Sequence, residues 1–126
     1  GEQCTVAALI CHIGNANTGM MDSLIKPVAE GTPRPAFSAE DLHRWNAQAN
    51  QQFASATREQ ARELLRTGAA PAIAYVRGLT DEQLATTFDL PMRPEPVTLE
   101  AMVVHGLIGH PREHLASARA AAGMAE

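Results

Sequence analysis

Two histidines four residues apart, His110 and His114, stand late in the chain in Leu107-Ile-Gly-His110-Pro-Arg-Glu-His114-Leu115. On an α-helix that spacing stacks both imidazoles on one face, with Cα atoms roughly 6 Å apart. Two neutral imidazoles so placed can share one divalent metal ion. On an ideal helical wheel they fall in one arc with Leu99, Val103, Leu107, Ala118 and Ala121. That arc is the apolar stripe, so both rings are expected to face the interior of a helix bundle. His105 falls on the opposite side and is expected in solvent. Ionisable groups aimed at a core need partners, because unsatisfied polar burial costs kilocalories. A metal would satisfy both rings; the plainer alternative is a hydrogen-bonded pair of core histidines.

A third histidine, His12, lies in the first predicted helix, at the edge of the stripe Val6, Leu9, Ile13, Met20 and Leu24. Its side of the helix carries small residues: Thr5, Ala8, Ala16, Gly19 and Ser23. Small neighbours let another helix, or a ligand, come close. Alone, His12 reads as a boundary histidine with a backbone partner; beside an inward pair it offers a third ligand. Cys4 and Cys11, seven residues apart on the same helix, would have Cα atoms about 10 Å apart, too far for a mutual disulfide. Free thiols fit a reducing cytoplasm. Cys11 reads as a small buried hydrophobe rather than a ligand.

The elements that must position these groups are helices. With 126 residues the chain has room for one domain, taken as 1–126, with one core. Aromatics make up 4% of the residues and strand-type runs are almost absent, which favours an all-α fold over a sheet. The net charge is −4 and no basic stripe is present, which argues against a nucleic-acid partner. No apolar run reaches the length of a membrane span, and the first residues lack the form of a signal peptide.

Thr5 is the expected N-cap of the first helix, which Pro27 is expected to end. Residues 27–37 read as a loop. Ser38 opens a second helix over about 39–56, with Leu42, Trp45, Ala49 and Phe53 on its apolar face. Asn46 and Asn50 belong to its polar coat and read as solvent surface. Thr57-Arg-Glu-Gln60 is a capping box starting a third helix to about Leu79, with a kink expected between Gly68 and Pro71. Thr80 caps a short helical turn, and 86–96 reads as an extended surface connection that contributes to a pocket mouth. Thr98 caps the final helix, Pro111 bends it beside His110, and Gly123 stops it.

The pieces Thr5-Val-Ala-Ala-Leu-Ile-Cys-His12-Ile and Gly109-His110-Pro-Arg-Glu-His114-Leu115-Ala-Ser-Ala-Arg119 resemble two segments of the DinB/YfiT-like superfamily of bacterial four-helix bundles. The first is similar to the family's helix with one inward histidine, the second to its late His-x-x-x-His helix. The resemblance begins at the family's second helix. The first is therefore expected to be missing from this chain or supplied by a partner chain, and the domain to be short at its N-terminus. By resemblance, His12, His110 and His114 would bind a divalent metal, zinc or nickel. The family's characterised activities are transfer of a low-molecular-weight thiol such as bacillithiol or mycothiol, and mycothiol-dependent maleylpyruvate isomerisation. The resemblance also implies a small-molecule substrate and a homodimer.

Three neutral imidazoles that hold a metal leave a position open, as in catalytic rather than structural zinc sites. An open position can bind water or hold a thiol as thiolate. Glu113, Asp22 and, less so, Asn15 are candidates to accept from the second ring nitrogens of the ligands. These residues point to two functions: a metal-dependent enzyme, either a thiol transferase or a hydrolase-like protein, and a non-catalytic metal- or ligand-binding bundle related to stress. An open, solvent-reached site beside a pocket favours the first. Histidines hydrogen-bonded to one another favour the second.

Overall fold

The computed structural model describes residues 4–124. Among these the chain folds as an all-α bundle of four long helical rods with one short helix and a two-stranded hairpin. The first rod is α1 (Val6–Met20), a π-helical turn (Met21–Ile25) and α2 (Lys26–Glu30) in unbroken succession. The Thr5 hydroxyl accepts from the Ala8 backbone N–H at 3.1 Å and caps its start. The second rod is α3 (Ala39–Gln52), and the third is α4 (Arg58–Arg77), which carries Pro71 inside it. After α5 (Asp81–Ala85), β1 (Thr87–Phe88) pairs antiparallel with β2 (Val97–Thr98). The last rod is α6 (Leu99–Met102), a second π-helical turn (Val103–Gly109) and α7 (His110–Ala121).

Three capping boxes form as their sequences dictate. Ser38, Thr57 and Thr80 each accept from the backbone N–H three residues on, and Asp41, Gln60 and Gln83 answer in return. Each box satisfies two backbone donors that the first helical turn cannot.

Pro27 does not end the first rod. The helix runs on to Glu30 and stops at Gly31, whose φ of 66° suits a residue without a Cβ. Proline lacks an N–H, and its ring collides with the carbonyl four residues back. The π-helical turn just before it relieves both problems. The Lys26 N–H reaches back five residues to the Met21 carbonyl, so the ladder is already shifted when Pro27 arrives. The last rod repeats the arrangement. The His110 N–H bonds to the His105 carbonyl, and Pro111 comes next. The bend expected beside His110 therefore takes the form of a π-helical turn.

One core cluster packs Met21, Ile25, Val28, Ala72, Phe88, Leu99 and Val103 together, while Leu9, Cys11 and Ile13 are buried along α1. Ile25 and Leu99 are fully enclosed. The connection 86–96 is not merely extended surface chain, because its hairpin buries Phe88 in that core. Residues of α1, α3 and α7 line a cavity that also takes in Leu24, Leu90 and Met102 from the edge of this cluster.

Candidate metal centre

His12 comes from the middle of α1; His110 and His114 come from the first turn and a half of α7. The structure brings all three together. Each offers one ring nitrogen, and these nitrogens lie within 4.8 Å of one another. The His110 and His114 Nε2 atoms are 2.9 Å apart. The rings meet edge to face, at 88° for His110 with His114, 83° for His12 with His114 and 63° for His12 with His110. Rings stacked face to face would aim their nitrogens in parallel; these converge. Three imidazole nitrogens suit a borderline divalent ion such as zinc or nickel. The three histidines could therefore hold a metal ion.

The rings are half-buried and line a cavity rather than sitting in the sealed core. The π-helical turn is the reason. It holds one residue more than an α-helical turn, so the helix beyond it is rotated by about 100° from an ideal wheel. Leu99, ahead of the turn, and Val103, its first residue, enter the core. His110 and His114, beyond it, are swung out of that arc into the cavity wall. Ala121, in the same ideal arc, is the last residue of α7 and is exposed, and His105 is exposed as its position implies.

The cavity measures about 920 Å³, the upper end of the range for small-molecule sites. The small face of α1 forms one wall, with Thr5, Ala8, Ala16, Gly19 and Ser23 beside His12. The opposite wall is α3. Its residues Leu42, Asn46 and Asn50, and Ala54 just beyond its end, recur every four positions and line the cavity, as does Trp45, whose ring centroid is 6.4 Å from that of His12. Asn46 and Asn50 are thus part of the lining and not only a solvent coat. The repeat that joins them to Leu42 was the available sign. Leu90 and Met92 reach the mouth from the connection after β1.

Glu113, Asp22 and Asn15 do not line the cavity. Asp22 accepts from Lys26 Nζ at 2.8 Å in an exposed pair, and Glu113 is exposed. Both cysteines are free. Cys11 is 1% exposed, and burial pushes its thiol pKa up, so it is a packed hydrophobe rather than a nucleophile.

Fold and site together define a helical bundle with a three-histidine cluster at the wall of a solvent-open cavity. The chain belongs to the DinB superfamily, whose family model matches residues 1–118. No curated protein and no solved structure matches it significantly. Among the described residues no helix is long and apolar enough to cross a membrane.

Proposed function

We propose that this protein is a divalent-metal-dependent enzyme in which His12, His110 and His114 hold the ion. The observation that carries the proposal is the convergence of three imidazole nitrogens, drawn from two helices far apart in sequence, at the wall of a cavity large enough for a substrate. The metal, zinc or nickel, would supply Lewis acidity that keeps a bound thiol as thiolate at neutral pH.

The reaction favoured is transfer of a low-molecular-weight thiol to an electrophilic small molecule. The thiol gives up its proton to solvent when it becomes thiolate; the sulfur then forms a bond to the electrophilic carbon, and the leaving group departs with its bonding pair. The chain contributes a shaped, largely apolar enclosure. Leu9, Met20, Leu42 and Met102 exclude water, while Asn46 and Asn50 offer amide donors and acceptors to a polar substituent.

A second reading, a non-catalytic metal- or ligand-binding bundle, has one observation in its favour. The 2.9 Å separation of the two Nε2 atoms is a hydrogen bond when one ring carries the proton, and such a pair needs no cation.

The test is elemental analysis of the purified protein beside a His110→Ala variant, followed by thiol-transfer assays with the metal restored. One equivalent of metal in the parent, its loss in the variant and metal-dependent consumption of thiol are expected. Equal metal content in both proteins removes the proposal. Metal binding without turnover leaves the second reading.

A further inference from the structure

The charge of the cavity wall narrows what can enter. Among the described residues that line it there is no lysine or arginine. Arg93 and Arg112 stand one and two residues from lining positions without entering the lining, and three other nearby cations are engaged elsewhere. Arg34 donates to the Asp89 carbonyl at 3.2 Å and lies 4.9 Å over the Phe88 ring. Arg44 pairs with Asp41 and Glu40, and Lys26 with Asp22. The one charged side chain in the lining is an anion, Asp41, which accepts from the Ser38 backbone and hydroxyl. The rest of the α3 side and the mouth presents Phe37, Leu42, Trp45, Leu90 and Met92 beside the neutral amides of Asn46 and Asn50.

An anionic group inside this enclosure therefore has one place where it is compensated, at the histidines with their metal. A second carboxylate or phosphate would find no cation in the lining, only apolar side chains, the neutral amides of Asn46 and Asn50, or Asp41. Desolvating it there without a charged partner costs several kilocalories. A hydrocarbon body gains from the same surface, by roughly 0.8 kcal/mol per buried methylene.

We infer that the cavity takes a single-headed amphiphile: an uncharged apolar body along Trp45, Leu42 and the methionines, with one thiol, hydroxyl or carboxyl head at His12, His110 and His114. The head end rests on the proposed metal function; the body does not. For a thiol transfer this makes the electrophile the apolar partner lodged in the cavity. A thiol bearing several carboxylates keeps those charges at the mouth.

Trp45 is the only tryptophan in the chain and lies in the cavity wall, so its emission reports occupancy. The metal-loaded full chain is titrated with butanoate, octanoate, octanedioate and 1-octanol. Octanoate is expected to bind about tenfold or more tighter than butanoate, because of the added methylenes. Octanedioate, with the same length and a second carboxylate, is expected to be weaker than octanoate by about tenfold or more. Octanol is expected to shift the emission of metal-loaded and metal-free protein alike.

Equal affinity for octanoate and octanedioate, or no dependence on chain length, overturns the inference. A Leu42→Arg variant, at a half-buried position of α3, supplies the missing cation and is expected to reverse the preference toward octanedioate. An unchanged preference in a folded variant also counts against the inference. Chain-length dependence in a protein that binds no metal sinks the metal function and leaves this inference standing. Metal binding without chain-length dependence does the reverse.

Discussion

Gly14 of α1 and Gly68 of α4 meet backbone to backbone. A Cβ added to Gly14 would lie 2.5 Å from the Leu64 carbonyl oxygen and 2.9 Å from the Leu65 nitrogen, and one added to Gly68 would strike the Gly14 carbonyl. The obstructing atoms are main chain and cannot rotate away. Either helix must move, and α1 carries His12 two residues before the contact. Gly14→Ala and Gly68→Ala are each expected to cost about 1–3 kcal/mol, as overpacking does. For a domain of this size that lowers Tm by about 4 °C per kcal/mol. Metal affinity should fall with stability in both. Gly19→Ala is the control, since its Cβ would meet only the Trp45 ring at 3.4 Å. Thermal melts and metal titrations of the three variants check this, and a Gly14→Ala protein with parental Tm and affinity contradicts it.

What the sequence made legible was local. Caps at Thr5, Ser38, Thr57, Thr80 and Thr98 can be read because a side-chain acceptor and a backbone donor three residues on are fixed by one turn of helix. The three histidines could be singled out by type and spacing. Their surroundings could not, because a helical wheel assumes one period throughout, and the π-helical turn at Val103–Gly109 breaks it. The same device hid the continuation of the first rod past Pro27. Phe88 was missed for a different reason: two residues of strand leave too little pattern to count, and their burial depends on helices elsewhere.

The π-helical turn before His110 is expected to act by setting phase, not by offering a special chemistry. Deleting one residue from it restores the α-helical ladder and leaves the residues on either side facing as they do now. Ile108, 49% exposed, is the residue to remove. Pro111 would then sit in a plain α-helix and clash with the carbonyl four residues back, at about 3 kcal/mol. The single deletion should therefore be markedly destabilised. The deletion combined with Pro111→Ala should recover most of the lost stability and still bind metal through all three histidines. Loss of metal from a folded double variant would show that phase alone does not explain the turn.

Asp41 closes the capping box of α3, the helix that carries Trp45. Hydrogen bonds from the Ser38 side chain and backbone hold its carboxyl below the usual carboxylate range, with Arg44 adding to them. A carboxyl depressed in the folded state stabilises above its unfolded pKa, and that contribution is lost as pH falls through the folded pKa. The start of α3 should loosen in that acid range, seen as a change in Trp45 emission. Asp41→Asn keeps an acceptor oxygen but cannot titrate. Its emission should vary less over the same range, and an identical acid transition in the variant would assign the change to another group.

Tyr75, the only tyrosine in the chain, donates its phenol O–H to Glu30 Oε1 at 2.8 Å and ties α4 to the end of the first rod. Burial is the larger reason its pKa is pushed up to about 12; the hydrogen bond to Glu30 and the negative charge of that carboxylate act in the same direction. A folded pKa above the unfolded value near 10 means the neutral phenol stabilises the fold fully below pH 10. That contribution is lost as pH rises from 10 toward 12. The ring is half-buried but its bond to Glu30 is exposed, so after solvent screening the loss should be no more than about 1 kcal/mol. Tyrosinate absorbance, which here reports one residue, should titrate near pH 12 in the folded protein and near 10 in denaturant. Tyr75→Phe should be less stable than the parent at neutral pH, and its denaturant midpoint should decline less between pH 10 and 12. Parallel alkaline limbs in parent and variant would mean that the Tyr75–Glu30 bond does not contribute to holding the two rods together.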